Sequence, residues 1–126
     1  MDPTPALCLP TALDVMGRIL PGGWPALRAR NRALALHARD VLCRELGVPS
    51  PAPDDLIGSL ATVPLPDPLG AEHVVDELPR DAHIEVPIFP WPTPPRWYIR
   101  ISAQVYNDES HIAALARQLT LRLGRN

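Results

Sequence analysis

Arg96-Trp97-Tyr98-Ile99-Arg100-Ile101-Ser102-Ala103-Gln104-Val105-Tyr106-Asn107 reads as a strand that runs straight into the start of a helix. Side chains along a strand alternate between its faces, so Trp97, Ile99, Ile101 and Ala103 fall on one side. Tyr98, Arg100 and Ser102 fall on the other. Arg100 is therefore a cation carried on a strand, flanked by two isoleucines that face the opposite way and anchor it. Asn107 is a good residue to cap a helix, and Asp108 and Glu109 would then sit in the first turn, where carboxylates meet the positive end of the helix dipole. Residues 108–123 carry Ile112, Leu115, Ala116, Leu119 and Leu123 at helical spacing, a core stripe.

Working outward from this stretch, 83–88 alternates, with Ile84, Val86 and Ile88 on one side. Pro87 within it predicts an edge strand, because a central strand needs that N–H for its ladder. Phe89 to Pro95 is a stiff, proline-rich connection between two strands rather than a free polyproline ligand. Residues 58–63 form a first strand, Asp67-Pro68-Leu69-Gly70 a turn, and 71–78 a short helix with Val74, Val75 and Leu78 apolar, ending near Pro79. Upstream, Pro10 opens a short helix with Leu13, Met16 and Leu20 on its apolar stripe, and Pro21-Gly22-Gly23 stops it. A long helix then runs over 24–46 with Leu27, Leu34, Ala38, Val41 and Leu42 on its apolar face, and Gly47 ends it. Its arginines, Arg28, Arg30, Arg32, Arg39 and Arg44, read as a solvated helix face.

These elements predict an α+β fold, a two-layer sandwich with a three-stranded antiparallel sheet in the order 1-3-2 and helices on one face, preceded by a long N-terminal helix. Residues 1–126 form one domain, with a helical segment over 1–47 and the sandwich over 56–126. The third strand is central because the prolines fall in or at the ends of the other two. The helices cover Ile99 and Ile101, so Arg100 looks out from the open face.

Composition narrows the function classes. The net charge is −2, and no nucleic-acid module is present, so nucleic acid is not an expected partner. No apolar run is long enough to span a bilayer, and no secretory signal stands at the start, so the cytoplasm is the expected compartment. Cys8 and Cys43 have no metal-like spacing and read as buried thiols in a reducing environment. His37, His73, His83 and His111 form no HxxxH pattern, so no metal site is expected. Ser59 and Ser102 lack a G-x-S-x-G elbow, and no glycine-rich phosphate loop occurs. All 12 basic residues are arginine, so no lysine side chain exists to form a Schiff base.

The run from Arg100 to Asn107 resembles the C-terminal signature of class V aminotransferase-like enzymes, a branch of pyridoxal-phosphate fold type I. More closely, the chain resembles the C-terminal part of isopenicillin-N epimerase-like proteins. Asp2-Pro3-Thr4, Gly22-Gly23-Trp24-Pro25-Ala26-Leu27-Arg28, Ile84-Glu85-Val86-Pro87, Phe89-Pro90-Trp91-Pro92 and the organising strand carry the resemblance, in the family's order. The resemblance implies the small domain of an isomerase or transferase whose large domain holds pyridoxal phosphate on a lysine. It implies an amino-acid substrate, with Arg100 at the position that binds the substrate carboxylate, and a homo-oligomer with active sites at the interface. The large domain and its lysine are missing from this sequence, which predicts a fragment, a truncated gene or a subunit completed by a partner chain. The chain alone is then expected to bind no pyridoxal phosphate and to be inactive. The alternative is a stand-alone interaction module that kept the fold without the chemistry.

Overall fold

The computed structural model describes residues 2–66 and 71–124; the turn expected at 67–70 lies outside them. Four helices and one sheet follow in the order α1 (Thr4–Arg18), α2 (Gly23–Leu46), a 3-10 turn (Asp54–Leu56), β1 (Leu60–Pro64), α3 (Ala71–Ala82), β2 (Ile88–Pro90), β3 (Trp97–Ser102) and α4 (Glu109–Leu123). The sheet is antiparallel in the order β1-β3-β2, as expected, with β3 in the centre.

β3 sits in the centre because it alone can be paired on both sides. Against β1 it runs in register from Leu60 opposite Ser102 to Pro64 opposite Tyr98. The bonds Ala103 N–H to Ser59 O (2.8 Å) and Leu65 N–H to Trp97 O (2.9 Å) extend that pairing at both ends. Ile99 and Ile101 are 0% and 5% exposed and pack with Ala61 and Val63 beneath α2, in one core with the apolar stripe of α4. Truncating a side chain this deeply enclosed typically costs about 2–5 kcal/mol.

The second strand differs from the expected 84–88: its ladder begins at Ile88 and continues through Phe89 and Pro90. The two prolines explain both ends. The backbone polar groups of residues 87, 89 and 91 face β3, as the bonds Arg100 N–H to Pro87 O and Trp91 N–H to Arg96 O show. Pro90 points its missing N–H outward, where nothing needs it. Pro87 faces inward, accepts from Arg100 at 3.0 Å, and has no N–H to return to the Arg100 carbonyl. The ladder stops there.

The helices follow their stripes with shifted ends. α1 starts at Thr4, ahead of the expected Pro10, because the Asp2 carboxylate accepts from the Thr4 N–H (3.0 Å) and hydroxyl (2.7 Å). Pro10 is accommodated inside the helix. α2 spans 24 residues, roughly 36 Å at 1.5 Å per residue. Gly47, at φ 66, closes it in the left-handed region where glycine is favoured, and the Val48 N–H returns to the Cys43 carbonyl at 3.0 Å. α3 runs past Pro79 to Ala82, with Val74 and Leu78 buried and Val75 outside. His83 then turns the chain at φ 55.

The α2 arginines are not a uniformly solvated face. Arg39 is 4% exposed and donates to Asp54 (2.6 Å), Asp40 (2.8 Å) and the Ala52 carbonyl. Arg32 donates to the carbonyls of Asp54 and Ile57, tying the 3-10 turn to the helix. Arg28 and Arg44 remain exposed.

Candidate functional site

Arg100 stands near the middle of β3, opposite Thr62 on β1, with its backbone N–H bonded to Pro87 on the other side. The side chain is exposed, on the face away from Ile99 and Ile101. Among the described residues its guanidinium makes no ion pair and no hydrogen bond. Tyr98 shares its face and meets Trp91 edge-on, with ring centroids 6.4 Å apart.

A cavity of about 350 Å³ opens where the β2 ladder ends, between residues 83–87, the end of β3 and the first turns of α4. Arg100, Glu85, Ser102, Asn107, His83 and His111 are the polar residues that line it. Ile84, Val86 and Ile112 contribute apolar surface. Such a volume is the size of a small-molecule site, with a few polar groups set into apolar walls.

The turn from β3 into α4 is held from two sides. Arg30 donates to the carbonyls of Gln104 (3.1 Å) and Asn107 (2.8 Å). Asn31, 4% exposed, donates to the Gln104 side-chain oxygen at 3.0 Å, which also accepts from the Val105 N–H at 2.8 Å. The Asn107 side chain accepts from the Gln104 N–H at 3.0 Å. Asn107 therefore shapes the turn, and the cap expected there belongs to Asp108. The Asp108 carboxylate accepts from the N–H groups of Ser110 (2.9 Å) and His111 (3.3 Å), while its own N–H donates to His111 Nδ1 (3.2 Å). The Ser110 hydroxyl and these N–H groups hold the Asp108 carboxyl below its ordinary value.

Sequence reading placed Arg100 and the direction it faces, and missed Glu85, His83, Asn107 and His111 as its neighbours in one cavity. The signal for Glu85 was present: an antiparallel 1-3-2 sheet with alternation over 83–88 brings it to the Arg100 end of β3. The signal for Asn31 was its place on the Leu27, Leu34, Ala38 stripe, where a polar residue is unusual.

Pyridoxal phosphate, the cofactor that the resemblance implies, is anchored through a lysine amine. The chain has no lysine, and the cavity offers guanidinium, carboxylate, imidazole, amide and hydroxyl groups instead. The residues present do not fit that cofactor. No group of three or more metal-ligating side chains occurs among the described residues. No helix among them is long and apolar enough to cross a membrane.

The fold and the cavity thus define a small α+β domain that presents from its central strand an arginine unpaired among the described residues. The chain is 33% identical over 125 residues to isopenicillin N epimerase of Streptomyces clavuligerus. The aligned region covers 98% of this chain and 30% of the relative, so the chain spans under a third of the length of the curated relative it matches. This supports a distant relationship to that epimerase. No family model matches the chain.

Proposed function

We propose that this chain is the substrate-carboxylate-binding domain of an isopenicillin N epimerase-like, pyridoxal-phosphate-dependent enzyme, with Arg100 as the carboxylate ligand. The cofactor and its lysine belong to a large domain or partner chain outside this sequence. The observation that carries the reading is the Arg100 guanidinium: exposed, unpaired among the described residues, and fixed to the central strand at the rim of a cavity. A guanidinium offers two parallel N–H donors that match the two oxygens of a carboxylate, and a rigid strand holds that fork better than a loop would. A second reading, an interaction module, draws on α1, which has no buried residue and leaves Leu9 and Leu13 57% and 49% exposed.

Titration of the ¹⁵N-labelled chain with butyrate tests the first reading. Saturable shifts are expected at residues 85 and 100–103. Arg100→Gln should abolish them, and Arg28→Gln, exposed on α2 over the Trp24 ring and outside the cavity lining, should keep them. Equal titration of wild type and Arg100→Gln overturns the reading.

A further inference from the structure

We infer that the Arg100 cavity takes a dipolar ligand, a carboxylic acid that also carries an ammonium several bonds away, with Arg100 on the anion and Glu85 on the cation. The inference rests on the carboxylate reading of Arg100. It begins with the register. Ile88 lies opposite Ile99, so Pro87 falls opposite Arg100 and Glu85 opposite Ser102. Paired residues share a face, which puts Glu85 on the same side of the sheet as Arg100.

In a continuous ladder Glu85 would be the diagonal neighbour of Arg100, about 7–8 Å away, and two long side chains of opposite charge would meet. Pro87 prevents this. It leaves the Arg100 carbonyl without a ladder donor, and among the described residues no backbone bond joins the sheet edge at Ser102 to the 83–86 segment. The cavity opens in that gap. Arg100 and Glu85 both line it, both are exposed, and no ion pair joins them. One cavity thus presents a cation and an anion that are not paired with each other, and Val86, Ile101 and Ile112 give it apolar lining. The complement is a molecule charged at both ends with an apolar chain between. An α-amino acid carries its two charges on neighbouring atoms and cannot span both side chains.

The test compares butyrate with 4-aminobutyrate in ¹⁵N titrations of wild type, Glu85→Gln, Arg100→Gln and the control Glu72→Gln, whose residue lies on α3. In wild type and the control, 4-aminobutyrate should bind about threefold tighter than butyrate, the size of an exposed ion pair. In Glu85→Gln the two should bind equally, with butyrate no weaker than in wild type. Arg100→Gln should weaken both. If butyrate binds through Arg100 while the amine adds nothing, or if its gain survives Glu85→Gln, the dipolar inference is overturned and the carboxylate reading stands. If neither compound binds any protein, both fall. Glu85 is a surface residue, so the amide variant should fold, and an unchanged spectrum away from the cavity checks that it has.

Discussion

Twelve arginines of one type have different fates, and their surroundings decide them. Arg39 is enclosed and shares two aspartates, which hold its proton more firmly than usual. Arg30 ties down the turn behind β3, and Arg100 is exposed on the open face. At the same scale, Asp108 and not Asn107 caps α4, because the Asn107 side chain is already bonded to the Gln104 N–H. The Asp108 carboxyl is held below the ordinary value of 3.8, so the ionised form is the one the folded state favours. A depressed acid contributes stability above its unfolded pKa and loses that contribution as pH falls through its folded value. Asp108→Ala is therefore expected to lower Tm at pH 7. The gap from wild type should narrow as pH falls below the ordinary aspartate value. Thermal melts across pH 2–7 (roughly the span of carboxylate titration) measure it, and a gap that stays constant to the acid end contradicts the cap assignment.

Among the elements, the helix stripes and the body of β3 were legible, while element ends and the position of β2 were not. The stripes of α2 and α4 and the alternation of β3 are periodic signals spread over many residues. The ends depend on single residues and their local hydrogen bonds: Asp2 starting α1, Pro87 stopping the β2 ladder, Asp108 capping α4. The seam between α1 and α2 includes a close approach at Gly17. A Cβ on Gly17 would lie 2.9 Å from Trp24 Nε1, too near for an ordinary contact. Gly17→Val is expected to push α1 off Trp24 while α2, β3 and α4 stay packed. Trp24 emission should shift to the red, read in a Trp91→Phe, Trp97→Phe background, with little change in the ¹⁵N spectrum over residues 99–119. An unchanged emission maximum means that α1 repacks without loss.

At the scale of the whole molecule, two features face outward without a partner among the described residues: the Arg100 cavity and the exposed apolar side chains of α1. Leu9 and Leu13 share one side of α1, Leu7 and Val15, 74% and 55% exposed, lie on another, and Trp91 is 62% exposed. Exposed apolar side chains of this kind favour association. The isolated chain is expected to gain mass with concentration in sedimentation equilibrium, and Leu9→Glu/Leu13→Glu to remain a monomer. A wild type that stays monomeric up to its solubility limit removes the interaction reading of α1. The sequence by itself determined the α+β class, the 1-3-2 strand order and the outward direction of Arg100. Each follows from local periodicity, proline placement and connection length, all written along the chain. Only the tertiary structure decided which side chains share the cavity with Arg100 and which arginines are consumed by the fold. Those outcomes depend on register between segments that are distant in sequence. One inward-facing proline imide, Pro87, turns an expected strand pair into an open site.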